Sequence, residues 1–166
     1  MQYLLDTNIF IQAKNIEYPF DVFPGFWDWL HRDLTAKSIS SIKPVYTELV
    51  NGNDELDEWI KEYNNSDYFL PVDDENTQEK FAEIANWVYA PDRVFKDPAK
   101  DEFLSVADSW LIAKASSDGF TIVTQERYDA NCKKKILIPN VCEVFGVEWI
   151  DTIELLRRMN VKFGMI

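Results

Sequence analysis

Apolar residues fall along this chain in two patterns, short unbroken runs and stripes at spacings of three and four. Runs without polar alternation predict strands buried on both faces, as in a parallel sheet covered by helices. Tyr3-Leu4-Leu5 and Phe120-Thr121-Ile122-Val123-Thr124 are the clear cases, Lys37 to Ile42 suits a second strand, residues 68–72 are extended, and Gly146 to Ile150 forms a last strand. The stripes predict the helices between them. Thr7 and Asn8 suit a turn or helix cap, with Ile9, Phe10 and Ala13 behind them at helical spacing. Another helix runs from about Gly25 to Thr35, and a third is opened by Pro44, with Val45, Glu48 and Leu49 on one face. The next is capped within Asn51 to Asp54 and striped by Leu56, Trp59, Ile60 and Tyr63, and one from Glu75 to Tyr89 carries Phe81, Ile84, Ala85 and Val88. A long helix from about Pro98 to Ser117 buries Leu104, Ala107, Leu111 and Ala115 and ends at Gly119. A short helix follows Ile136 to Val141, and the closing helix, Ile153 to Met159, is capped by Asp151 or Thr152. Strands that alternate with helices predict an α/β fold: one domain over residues 1–166, with a central, mainly parallel sheet of four to five strands flanked by helices on both faces.

Between Tyr18 and Leu30 the rings at 18, 20, 23, 26, 27 and 29 are too many for a solvated loop, and Pro19, Pro24 and Gly25 break the helix pattern. A packed aromatic cover for the core is the leading expectation; a surface for a partner or for stacked bases is the alternative. His31, the one histidine, has no second histidine to relay or ligate with and is expected at the surface.

Charge narrows the function. The 166 residues carry 17 Lys and Arg against 29 Asp and Glu, a net charge of −12, so the summed field repels phosphates and argues against a general nucleic-acid or membrane-surface binder. A nucleic-acid substrate then requires local devices, a metal held by carboxylates or a small basic patch. Arg127 and Lys133-Lys134-Lys135 form the main basic cluster. Cys132 and Cys142 lack the spacing of a zinc site or a disulfide framework, and there is no long apolar run, so a reduced cytoplasmic protein without membrane association is expected.

The candidate chemistry lies in four acids. Asp6 follows the first strand directly, and Gln125-Glu126 lies just past the strand ending at Thr124; Glu48 and Asp108 stand on or beside apolar helix stripes, where a carboxylate is costly unless paired or bound to a cation. If the strands are parallel neighbours, their carboxyl ends share one crevice. Carboxylates without Cys or His partners select a hard cation such as Mg²⁺ or Mn²⁺.

Leu5-Asp6-Thr7-Asn8, Thr47-Glu48-Leu49, Ala107-Asp108-Ser109-Trp110-Leu111-Ile112-Ala113 and Ile122-Val123-Thr124-Gln125-Glu126 resemble the ordered acidic motifs of the PIN-domain nucleases, which include the VapC-type toxins of toxin–antitoxin pairs. The resemblance runs from residue 3 to about residue 158, and the Tyr18 to Leu30 segment looks like a bacterial PIN-like subfamily without an assigned function. It implies Mg²⁺- or Mn²⁺-dependent hydrolysis of RNA phosphodiesters, an antitoxin partner and, from VapC-type relatives, dimerisation. Carried over by position, Asp6, Glu48 and Asp108 match the family's first three acids, and Glu126 stands where the family commonly has Asp. Asp6 and Asp108 are then the principal ligands, with Glu48 and Glu126 holding a second ion or bound waters. Asn8 and Thr124 match the polar residues that orient carboxylates or water. Asp129 is the substitute if Glu126 points away; Asp101, seven residues before Asp108, is either a peripheral metal neighbour or a solvated acid near a helix start; and Arg127, Lys133, Lys134 and Lys135 are contacts for the RNA backbone, with a solvated loop the plainer reading of the three lysines.

Two rival readings follow. A haloacid-dehalogenase-type phosphatase also opens on a strand ending in Asp but needs a second acid where this chain has Asn8. A PIN-like binding protein with weak or no nuclease activity, held by a basic, amphipathic antitoxin segment, would suit the acidic surface; the presence of all four acids speaks against it.

Overall fold

The computed structural model describes residues 2–64 and 67–165. Five parallel strands lie in the order β3-β2-β1-β4-β5: β1 is Tyr3–Leu5, β2 Ile39–Ile42, β3 Phe69–Leu70, β4 Thr121–Val123 and β5 Trp149–Ile150. The central strands are buried from end to end, which is why they show no polar alternation. Ser40 and Ser41 are admitted to β2 because their hydroxyls are used: Ser41 Oγ donates to the Leu5 carbonyl at 2.6 Å, and Ser40 Oγ accepts from Gln2 Nε2 at 2.8 Å.

The helices are α1 (Thr7–Gln12), α2 (Pro24–Thr35), α3 (Lys43–Leu49), α4 (Glu55–Lys61), α5 (Glu75–Val88), α6 (Asp97–Ser105), α7 (Ala107–Asp118), α8 (Ile138–Phe145) and α9 (Thr152–Arg158). Three begin on aspartate caps, Asp54 on Asp57 N, Asp74 on Thr77 N and Asp151 on Glu154 N, at 2.8–3.1 Å. Gly119 closes α7 in the left-handed conformation, φ 76°, where a Cβ would be strained. Residues 104–115, read from periodicity as one helix, divide at Val106, whose backbone is extended (φ −108°, ψ 177°). The buried stripe therefore continues across two helices, and α7 has a fresh amino terminus at Ala107.

The aromatic segment is core cover, as expected. Tyr18 stacks on Phe26 with centroids 4.3 Å apart, Phe20 on Trp27 at 4.0 Å, and Trp27 Nε1 donates to the Tyr18 carbonyl at 2.7 Å. Phe26, Trp27 and Trp29 are buried. His31 is exposed, with Nδ1 at 2.5 Å from the hydroxyl of buried Tyr63. Both cysteines are free, and no helix among the described residues is long and apolar enough to cross a membrane.

The strand order decides where a site can form. From β1 the chain builds outward through β2 and β3, then crosses to the other side of β1 for β4 and β5. The reversal falls between β1 and β4, and the crevice beyond their carboxyl ends is where open α/β sheets bind ligands.

Candidate active site

Asp6 and Thr124 are the residues immediately past this reversal. The register pairs Leu5 with Val123, and Asp6 N donates to the Val123 carbonyl at 3.0 Å, so both chains leave the sheet side by side. Asp6, rather than Thr7 or Asn8, occupies the N-cap position of α1, and its side chain makes no capping bond. An aspartate in that position ordinarily caps; here its carboxylate is turned to Thr124, whose Oγ1 donates to Asp6 Oδ2 at 3.0 Å. Thr124 Oγ1 also accepts from Glu126 N at 3.1 Å, so one hydroxyl fixes the carboxylate of one strand end and the backbone of the other.

Asp108 comes from the first turn of α7, most of its surface covered. The break at Val106 places it there, and the helix's exposed start is satisfied from a distance: Glu48 Oε2 accepts from Ala107 N at 3.2 Å while Glu48 Oε1 accepts from Thr7 Oγ1 at 2.6 Å. Glu48 thus ties the starts of α1 and α7 together. It is exposed beside the α3 stripe, of which Val45 and Leu49 turn inward. Asp6, Asn8, Glu48, Asp108 and Lys135 line one cleft of about 180 Å³.

Glu126 does not line this cleft but adjoins it through Lys135. Its Oε1 accepts from Ile138 N at 2.8 Å and its Oε2 pairs with Lys135 Nζ at 2.9 Å. A second, wider hollow of about 410 Å³ opens on its other side, lined by Thr124, Arg127, Tyr128 and Trp149 among others. Asp129 is exposed and engaged in its own turn, accepting from Asn131 N at 2.9 Å, so it does not replace Glu126. Of the two readings of Asp101, the solvated acid is the one that holds and the metal neighbour does not. Asp101 lies on α6, outside the cleft and exposed, and accepts from Tyr89 Oη at 2.7 Å, since the break at Val106 cancels the shared helix face that its spacing implied. Glu102, one residue on, lines the cleft instead, from the α6 face that buries Ala99 and Phe103. Of the basic cluster, Arg127, Lys133 and Lys134 are exposed, and Lys135 alone is directed at the acids.

The electrostatics match this crowding. Burial, with the Glu126 charge behind it, pushes Asp6 up to about 6 from its ordinary 3.8. Burial and then the charges of Asp6 and Glu126 push Asp108 up to about 8. Two carboxylates are held together out of water at a cost that a cation would offset. The donors are all hard oxygens, the chemistry that suits Mg²⁺ or Mn²⁺. Among the described residues, no group of three or more His, Cys, Asp or Glu side chains is assembled to hold a metal ion; Glu48 and Glu126 are engaged with protein donors.

Thr124→Val isolates the strand-end clamp. The isosteric change removes the Thr124 hydroxyl from both Asp6 Oδ2 and the Glu126 N–H, so a loss of about 1–2 kcal/mol is expected in urea unfolding. An unchanged midpoint would mean that water replaces the hydroxyl.

Residues 3–163 match the family described as a domain of unknown function, DUF4411. The chain belongs to the DUF4411 family. The comparison with curated proteins found no match. Among solved structures, the DUF4411 fold is similar to a chain of VapBC2 from Rickettsia felis, crystallised bound to a DNA fragment from its promoter. The TM-score is 0.52 at 14% identity, covering 91% of this chain and 98% of that one. At that identity the likeness shows the fold: the DUF4411 chain has the α/β architecture, a parallel sheet among helices, expected from its sequence.

Proposed function

We propose that this DUF4411 protein is a metal-dependent endoribonuclease that hydrolyses RNA phosphodiester bonds, and the toxin of a toxin–antitoxin pair. The observation that carries the reading is the gathering of buried Asp6 and partly buried Asp108 in one cleft at the sheet's reversal point, both raised by burial and by neighbouring negative charge. Lys135, the cation that lines the same cleft, pairs with Glu126 and offsets the two acids only in part, which leaves a net negative site suited to a cation. Asp6 and Asp108 are the residues that would hold Mg²⁺ or Mn²⁺, with Glu48 and Glu126 next to them. When bound, such a cation activates water for in-line attack and stabilises charge on the phosphate and the leaving oxygen. The chain's own residues do the rest. Thr124 fixes the Asp6 carboxylate, Glu48 holds the starts of α1 and α7 in register, and Asn8 lies in the cleft to orient water or substrate. Arg127, Lys133 and Lys134 stand exposed where an RNA backbone could be drawn in against the overall negative field.

An antitoxin partner is supported by the structural neighbour, itself a VapBC complex. A basic, amphipathic segment suits this chain's charge, and Val22, Phe23, Phe163 and Met165 offer exposed apolar side chains. Homodimerisation belongs to the same proposal.

The test is incubation of the purified chain with a mixed RNA pool and Mn²⁺ or Mg²⁺. Discrete fragments that disappear with chelator are the expected result. Cutting that persists in chelator would defeat the metal-dependent mechanism, and intact RNA under every metal condition, with and without a co-expressed neighbour gene product, would favour the binding-protein reading.

A further inference from the structure

Lys135 is set apart from the two lysines before it. The backbone around it is pinned on both sides: the Lys133 carbonyl accepts from Lys96 N at 3.3 Å, Ile136 is buried at 1% exposure, and Ile138 N donates to Glu126 Oε1 at 2.8 Å. Cys132 Sγ also donates to the Lys135 carbonyl at 3.3 Å. The loop from β4 to α8 is therefore fixed so that one ammonium group enters the acid cleft, 2.9 Å from Glu126 Oε2, and lines it with Asp6, Glu48 and Asp108. Neither Lys133 nor Lys134 lines that cleft.

We infer that Lys135 is a tethered counter-cation, which occupies the acid cleft when no divalent ion is bound and must give up Glu126 before one can be held. The inference rests on the metal site proposed above. Both oxygens of Glu126 are engaged, one by a backbone N–H that cannot leave without moving α8 and one by a flexible side chain that can. A divalent ion drawing on Glu126 would compete with the ammonium alone. The Lys135 side chain is about half exposed, so it can swing to solvent at little cost. The lysine thus lowers the site's affinity for divalent ions and raises the ion concentration at which the site fills. Lys135 is a positioning residue in this role, acting through Glu126.

Mn²⁺ binding by isothermal titration calorimetry, in the absence of RNA, tests this on the parent chain and on Lys135→Gln, Lys135→Met, Lys135→Arg and Asp108→Asn, each with its fold checked by circular dichroism. The expected result is about fivefold to tenfold tighter binding in the Gln and Met variants, an unchanged constant in the charge-preserving Arg variant, and loss of binding in Asp108→Asn. Equal constants in the parent, Gln and Met proteins, with Asp108→Asn still losing the ion, would overturn the role of Lys135 and leave the metal site standing. Tightening in the Arg variant equal to that in Gln would also overturn it, since shape and not charge would then be responsible. No Mn²⁺ bound by any of the proteins would overturn the metal site and this inference together.

Discussion

Asp6→Asn and Asp108→Asn each lower RNA cutting by about 10³-fold or more in the presence of Mn²⁺, with unchanged circular dichroism. The size follows from what each carboxylate is asked to supply: a metal-stabilised transition state is worth several kcal/mol, and about 1.4 kcal/mol is tenfold in rate. Asn keeps shape and one oxygen while removing the charge that holds a hard cation. Glu48→Gln is milder, about tenfold, because a neutral amide oxygen can still accept from Thr7 Oγ1 or Ala107 N and keep the two helix starts together. The ordering matters as much as the magnitudes. Equal small losses for all three would mean that the acids support the fold and the chemistry lies elsewhere, and undiminished cutting by Asp108→Asn would identify the activity as a contaminant.

How much of this was readable beforehand varies with the distance over which each feature is determined. The β1 end and Asp6 were legible because an unbroken apolar run and the acid that stops it are local. The position of Glu126 was legible for the same reason at β4, and the parallel pairing of β1 with β4 brings the two together. The division between α6 and α7 was not. Leu104, Ala107, Leu111 and Ala115 keep helical spacing across it, no Gly or Pro marks it, and the group that satisfies the new helix start is Glu48, 59 positions away. The metal-neighbour reading of Asp101 fails for that reason, since a seven-residue spacing means one face only along an unbroken helix. Glu102 was missed because its place on the cleft depends on where α6 ends, which no local pattern marks. The spacing left Glu48 on or beside the α3 stripe, and only its contacts with α1 and α7 decide for the exposed edge. The inward turn of Lys135 among three identical residues has no signature in composition; it is fixed by the burial of Ile136 and by backbone bonds from Lys96 and Ile138.

In chelator, the folded protein loses stability as pH rises from about 4 to about 8, and Asp108→Asn recovers it. Unfolded Asp108 ionises near its ordinary 3.8, whereas in the fold it ionises near 8; Asp6 behaves likewise between 3.8 and about 6. Across that window the unfolded chain holds fewer protons than the folded one, so stability falls with rising pH and then levels off. Contributions of opposite sign lie lower on the scale. Asp54 is held below its ordinary value by the Lys14 hydrogen bond and Glu148 by Arg158, so their support is complete once unfolded carboxylates have ionised and is lost only toward acid. Because Asn does not titrate, the advantage of Asp108→Asn over the parent is close to nothing at about pH 4 and grows to ~3 kcal/mol near pH 8, read from urea unfolding at three pH values. A difference that stays constant with pH would show that the acids are not under electrostatic load. If the difference grows as expected, the substitution that removes the proposed activity is also the one that stabilises the empty protein, the relation expected where a fold accepts strain at a site kept for ligand rather than for itself.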